Sequence, residues 1–459
     1  MIVVIGGGAA GIAAARTLWD ANADVLLVEA GGRLGGRAHS LLLPAMAPVG
    51  SGAVPRRRPG LSSDGGSNDV PSLDHERSAT GPRPSPGNAE APADTLLTVD
   101  AGCGWLHSAG RNPWTDLAER YGFTVDRTPT NWTTQWRDLG FPPEDQRSFR
   151  QAWQRWEETA YAALGGSDRP LSDFIAHGDR WRPMIDAVSG YANGAPLSEV
   201  SLHDWAAYED AVTEDNWVIE QGYGTVVVRH ALGVPVQLNT IVWRVDHHAR
   251  TLRLHTERGT IEADQVIVCV PTTALASEAL LFDPPLPAKH DAAAALPLGL
   301  ADKVFLHVAG GGLPENGHLI GNPYSGKTAS HRLSPFGWPL IESFFGGECA
   351  EALEQEGDGA AADFAIGELV ALLGSDWRRR LTPLAATRWR AEPHIHGAYS
   401  HARIGAAAQR VVLAEPIDER LFFAGEACSA QDFSTAHGAY ATGVAAAEAV
   451  LAQRKVLHP

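Results

Sequence analysis

Apolar residues run from Met1 to Ile5, break at a cluster of glycines, and resume in an alanine-rich stretch that reaches about Asn22 before a second apolar run, Val25 to Glu29. Short continuous apolar runs bounded by glycine predict buried strands, and the stretch between them has helical length, so the chain is expected to open as a compact βαβ unit. The pattern stops after Leu43. Pro44 to about Asp94 is rich in Pro, Gly, Ser and scattered charge, without a sustained apolar period, and reads as a long flexible insertion. So long a structureless stretch is uncommon inside a compact domain, but patterned sequence resumes at Leu96 with LLTVDAGCGWLH, which makes the insertion a surface excursion.

From about Pro113 to Trp205 the pattern is helical and rich in tryptophan (WTDLAERYGF, FRQAWQRWEETAYAAL, DFIAHGDRWRPMIDAVSGY), predicting a helical cap. TIVWRVDHHARTLRLHT and GTIEADQVIVCVP then read as a hairpin followed by a buried strand ending at Pro271. Between Ala301 and about Thr387, KVFLHV and LIESFF predict strands and DFAIGELVALLG a helix; RLFFAGEA followed by HGAYATGVAAAEAVLAQR reads strand, turn, helix. There is no internal repeat. Two domains interleave: residues 1–43, 95–112, 206–295 and 388–459 in one, 113–205 and 296–387 in the other, with 44–94 inserted. The expected fold class is α/β, a Rossmann-like dinucleotide-binding domain interleaved with a mixed α+β domain that carries the helical cap.

A chain of 459 residues exceeds what one core usually supports, in keeping with two domains. The net charge of −17 repels phosphate backbones and anionic lipid, so neither nucleic acid nor a membrane surface is an expected partner. Cys103, Cys269, Cys349 and Cys428 are scattered with no CxxC pair, which suggests neither a zinc site nor a disulfide framework and fits a cytoplasmic protein. The apolar opening lacks the basic flank of a signal peptide, and no other run approaches the ~18 apolar residues of a membrane span. His394 and His396 form an HxH pair without an evident third ligand, so no metal is expected.

Gly6-x-Gly8-x-x-Gly11 falls between the first strand and helix, and Glu29 ends the second strand at the spacing a dinucleotide fold requires. Gly6 permits the tight turn, Gly8 lets amides approach a pyrophosphate, and Gly11 lets helix pack on strand; Ala10 lies within the same turn. Glu29 is placed to accept hydrogen bonds from ribose hydroxyls. The fingerprint alone does not separate NAD from FAD. Arg33 and Arg37 then bracket the glycine pair Gly35-Gly36, offering guanidinium donors to phosphate where the chain can pass close to a cofactor.

That run, EAGGRLGGR, resembles the E-A-x-x-R-x-G-G-R signature of the flavin-containing amine oxidases, whose relatives include monoamine oxidases, polyamine oxidases and lysine-specific histone demethylases. The resemblance recurs in order along nearly the whole chain outside the insertion. It implies a GR2-type flavoprotein fold, non-covalent FAD, and hydride transfer from the carbon next to an amine nitrogen, with oxygen as the acceptor. VDAGCGWLHSAGRNPW resembles the segment passing the flavin ring, placing Gly104 at the cofactor and Trp105 and His107 toward the substrate. GYGTVV followed by LNTIVWRV resembles a strand pair whose backbone, at Val242, meets the adenine. The resemblance also places Lys303 near flavin N5 through a water, Trp389 beside the flavin, Tyr399 as one wall of an aromatic cage, and Gly425 and Glu426 near the ribityl and pyrophosphate.

Two positions depart from the monoamine oxidases. Ala398 stands where members with covalent flavin carry cysteine, and Thr435 stands where a second cage tyrosine would be, leaving room for a bulkier or more polar amine. An apolar, aromatic-walled pocket favours the neutral amine by desolvation. His107 suits either a hydrogen bond to the amine and proton transfer or simple satisfaction by neighbouring backbone. Lys303 lies in an apolar strand, where an ammonium needs a partner. Other readings of the same fingerprints are a desaturase or protoporphyrinogen-oxidase-like enzyme, disfavoured by Lys303 and Tyr399, and a flavin-binding scaffold without turnover.

Overall fold

The computed structural model describes residues 1–45 and 96–457. The insertion predicted over 44–94 thus lies, beyond Ala45, outside the described residues. Its borders do not: Ser40–Pro44 and Leu96–Asp100 pair antiparallel, with Pro44 opposite Leu96. Because the chain leaves and returns at one rung of a hairpin, closing that gap costs little entropy. Replacing Val49 to Ala91 with a short Gly/Ser link is therefore expected to leave the flavin spectrum and turnover intact; loss of flavin from the purified variant would show the segment to be structural.

Five parallel strands form the first sheet, in the spatial order Leu421–Phe423, Gln265–Val268, Ile2–Ile5, Val25–Val28, Val236–Gln237. Alternation along the strands divides the side chains between two cores. Ile2, Val4, Leu27, Ile267 and Phe422 pack against helices that include Ala9–Asp20 and Ala436–Leu457. Val3, Ile5, Val28, Val266 and Phe423 pack on the opposite side against Val245, Leu252 and Leu254. Those belong to a meander rather than a single hairpin: Val242–Asp246, Leu252–Thr256 and Gly259–Ala263 pair in sequence, and Leu281–Asp283 adds a parallel fourth strand. Gly6 turns the first strand into the first helix at φ +103°, and a Cβ there would meet the Cys269 carbonyl oxygen at 2.6 Å.

Two further expectations are corrected. GYGTVV is not a strand but the start of the helix Tyr223–His230: the Asp100 carboxylate accepts from the amides of Tyr223 (2.9 Å) and Gly224 (3.2 Å), capping its N-terminus, while Val226 and Val227 are buried in the first core. The domain boundary drawn at 112 falls too early. The helix Pro113–Arg120 buries Trp114, Leu117 and Ala118 in that same core, so it belongs with the dinucleotide domain.

The second sheet is antiparallel, in the order Gly317–Ile320, Ser330–Leu333, Leu340–Gly346, Ala301–Val308, Leu381–Ala386. Val304, Leu306, Ile341 and Phe345 point to the face covered by the helices Glu348–Glu356 and Ala360–Leu373. Residues one position out of phase, among them Lys303, Phe305, Glu342 and Arg332, point to the other face, where Phe305 packs against Leu43 and Val99 of the hairpin. The helices Pro143–Ala162, Arg182–Asn193 and Leu202–Glu209 form the remaining layer around Trp156, Leu171, Ile185 and Trp205. Among the described residues no helix is long and apolar enough to cross a membrane.

Candidate functional site

The C-terminal ends of the parallel strands are where open α/β sheets receive ligands. Here the first helix begins at Gly8 with no side-chain cap and no acidic residue in its first turn. Its first backbone bond runs from Ile12 to Gly8, so the amides of Ala9, Ala10 and Gly11 have no intrahelical acceptor and suit a phosphate. Ala10 itself is buried, closely overlaid by Gly443 of the last helix. Glu29 lies beside this turn, its two oxygens accepting from Gly7 and Gly31 amides at 2.6 Å each. Val242 is adjacent: Thr240 N donates to Glu29 O (2.9 Å), and Val242 is buried beside Val28.

Arg33 donates to the Gly36 carbonyl (2.8 Å), bracing the glycine loop. Arg37 reaches the far side, to Ala398 O (2.6 Å) and to the Glu426 carboxylate (2.8 Å). Arg37, Gly425 and Glu426 line one cleft with Val270 and Phe423. Glu426 also accepts from Ser400 Oγ (2.6 Å) and Ser434 N (2.9 Å). Burial alone would raise its pKa, but the opposing charge of Arg37 and the Ser400 bond outweigh it, and the net shift is downward. The last helix starts immediately after: Thr435 Oγ1 accepts from Gly438 N (3.0 Å) and donates to Asp432 O (2.6 Å), so this hydroxyl caps the helix.

The segment Asp100–Gly104 threads through the centre. Gly102 passes so close to Arg37 that a Cβ would lie 1.8 Å from its carbonyl oxygen. Asp100 O accepts from Lys303 Nζ (2.9 Å), and Ala101 O from Trp389 Nε1 (3.1 Å). One strand end thereby fixes both side chains. A Cβ on Gly104 would sit 3.3 Å from Lys303 Nζ, so Gly104, Lys303 and Trp389 converge. Lys303 finds its counter-charge in Glu342, Nζ to Oε1 at 2.8 Å. Behind Trp389, Asp302 Oδ1 accepts from Trp389 N (3.1 Å) and Thr387 Oγ1 (2.7 Å); burial pushes this carboxyl upward to about 7.

Tyr399 donates its hydroxyl to Tyr191 O, and the Tyr191 ring lies 6.0 Å from Phe344, the cross-strand partner of Lys303. An aromatic wall therefore leads to the ammonium. On the other side Trp105 meets Trp132 edge to face, centroids 4.8 Å apart. His107 Nδ1 pairs with Asn216 Oδ1 (2.6 Å), a side-chain partner; burial lowers its pKa more than the Asn216 bond raises it, so the ring is neutral near pH 7. His394 and His396 are exposed, and among the described residues no group of three or more His, Cys, Asp or Glu is arranged to hold a metal. All four cysteines are free.

Asp100, Tyr191, Asn216, Glu342 and Ser400 join the site without having stood out in the sequence. Glu342 left a signal, as the one carboxylate in LIESFF, the complement of the one ammonium in KVFLHV. Ser400 and Asp100 left none, since their importance lies in which distant backbone they meet.

Residues 94–451 match the family model of flavin-containing amine oxidoreductases, more than three-quarters of the chain, and residues 4–52 match an NAD(P)-binding Rossmann-like domain. The chain belongs to the flavin-containing amine oxidoreductases. Like others of the family it is an FAD-dependent oxidoreductase, and the uncapped helix start, Arg33 and Arg37 beside it, and the cleft that Arg37 and Glu426 line fit that cofactor. This amine oxidoreductase is 26% identical to polyamine oxidase 4 of Oryza sativa subsp. japonica over 97% of its own length and 88% of the relative's. It is 27% identical to lysine-specific histone demethylase 1 homolog 2 of the same plant, over 98% of its length and 57% of that protein. Its fold matches the solved cyclohexylamine oxidase from Brevibacterium oxydans IH-35A, with TM-score 0.72, 19% identity and 99% coverage of both chains.

Proposed function

We propose that this enzyme removes hydride from the carbon next to a substrate amine nitrogen, giving an imine that hydrolyses, with molecular oxygen as acceptor and hydrogen peroxide as product. Bound FAD supplies the hydride acceptor. The observation that carries the reading is the convergence of Lys303, Gly104 and Trp389 on one backbone segment, with aromatic rings on both sides. Trp105, Tyr191, Phe344 and Tyr399 exclude water and favour the neutral amine, whose lone pair is needed to expel hydride. Neutral His107, held by Asn216, accepts a hydrogen bond or proton from the amine. Arg37, Glu426 and Gly425 would hold the cofactor, and Ala398 offers it no thiol for a covalent link. The cytoplasm is the proposed compartment, in keeping with the four free cysteines.

The test is anaerobic titration of the yellow holoenzyme with a panel of mono-, di- and polyamines, amino acids and non-amine hydride donors, followed by air. The expected result is bleaching by an amine, with air restoring the colour and generating peroxide. Bleaching only by non-amine donors would defeat the proposed chemistry.

A further inference from the structure

The sheet face that carries Lys303 carries a second cation. Register makes His318, Arg332, Glu342 and Phe305 successive cross-strand partners, so the four share a face, and Lys303, two residues from Phe305, lies on it too. Glu342 stands between the two cations and pairs with Lys303. The direct partners of Arg332 are neutral, its guanidinium donating to Asn316 Oδ1 (3.0 Å) and lying over the rings of Trp105 (4.9 Å) and Phe336 (5.2 Å), while the charges of Glu342, Asp126 and Asp100 act on it without a direct ion pair. Burial lowers its pKa, and the fields of Glu342, Asp126 and Asp100 offset that only in part.

Arg332 lines a cleft together with Trp105, Trp132, Asp126 and Asn316. Asp126, the carboxylate in that lining, accepts at Oδ1 from the amide (2.9 Å) and hydroxyl (2.6 Å) of Thr128, and its charge acts on Arg332 without a direct bond to it. A guanidinium has five donors in a fixed fork. Held over two rings beside a cleft, with one side-chain acceptor found, it is oriented for a planar anion that takes two parallel N–H bonds.

We propose that Arg332 binds a carboxylate carried by the substrate, so that the amine oxidised here is an amino carboxylate, its nitrogen-bearing carbon toward Lys303 and its carboxylate toward Arg332. The inference rests on the amine-oxidase reading and deepens it. A polyamine would bring a cation toward Arg332, whereas an amino carboxylate offers the guanidinium fork an anion to bond directly while its neutral amine lies among the aromatic rings.

The first measurement is equilibrium binding to oxidised holoenzyme, followed by the flavin absorption band, of 3-phenylpropionate and its uncharged isostere 3-phenylpropionamide. The carboxylate is expected to bind at least about tenfold more tightly, as a charge-assisted bidentate pair requires. Arg332→Met is expected to shrink that carboxylate-to-amide ratio at least about tenfold, and Arg332→Lys, which keeps the charge but loses the fork, to give an intermediate ratio. The second measurement compares kcat/KM for an amino acid and for the amine with the same side chain but no carboxylate; the same variants should lower that ratio in the same order. Equal binding of carboxylate and amide, or ratios unmoved in either variant, would overturn the proposal. Bleaching by plain amines but not by amino acids would overturn it while leaving the amine-oxidase reading intact. Carboxylate binding that depends on Arg332, in an enzyme that no amine reduces, would uphold the anion site and defeat that reading.

Discussion

Arg410→Met is expected to destabilise the folded enzyme by about 3–5 kcal/mol, the cost of leaving a buried charge without its partner. Arg410 is 1% exposed and grips the Asp204 carboxylate with two bonds (2.7 and 2.8 Å), while its plane lies 3.6 Å from the Phe433 ring. Asp204 is equally buried and also accepts from Ala402 N (2.8 Å). The pair joins the helical layer to the C-terminal part of the dinucleotide domain, and it does not end there. Arg410 donates to Ser400 Oγ (2.9 Å), Ser400 donates to Glu426 (2.6 Å), and Glu426 meets Arg37. Loss of Arg410 should therefore weaken FAD binding as well as the fold.

Denaturant titration of holoenzyme and apoenzyme separates the two effects. The double variant Asp204→Leu with Arg410→Met should be less destabilised than Arg410→Met alone, because it removes both charges together. A single-variant loss below about 1 kcal/mol, typical of an exposed pair, would show that water reaches Asp204 and that the network is not a closed one. The same network has an acid limit. The folded pKa of Glu426 lies below its unfolded value, so its contribution is complete above the ordinary glutamate range near 4.3 and disappears as pH falls through the folded value.

The local patterns that the chain displays are those in which neighbours in sequence are neighbours in space. Gly6, Gly8, Gly11 and Glu29 lie within one βαβ unit, so their spacing carries the geometry directly. The alternation in KVFLHV and LIESFF likewise separates the helix-covered face from the face that carries Lys303 and Glu342. GYGTVV misled because its valines suit a strand by propensity. What makes it a helix is Asp100, more than a hundred residues away, capping two of its amides. Trp114 misled for a related reason: the helical pattern of Pro113–Arg120 reports that a helix forms, not which core receives it. Arg332 illustrates the same limit at the site. Its sequence neighbours in SHRL say nothing of Trp105 or Asn316, and only the strand register brings it beside Glu342.

Lys303→Met is expected to slow flavin reduction or reoxidation by at least about 10²-fold, within the range for loss of a positioned proton-handling group, while FAD remains bound. FAD retention follows from where Lys303 makes its bonds, to Asp100 O and Glu342, and not to Arg37, Glu426 or the first helix. Methionine fills the same volume in the apolar strand but leaves Glu342 facing the site without its cation, so charge as well as proton transfer is altered. Lys303→Arg separates these terms: it restores a cation opposite Glu342 but cannot give up its proton. If the ammonium acts only as a counter-charge, Lys303→Arg recovers most of the rate; if it exchanges a proton, Lys303→Arg stays slow. Stopped-flow reduction under nitrogen and reoxidation by oxygen distinguish which half-reaction depends on it. Rates within about twofold of wild type in both half-reactions would remove Lys303 from the chemistry and leave it as the anchor that ties the second sheet to the Asp100 strand.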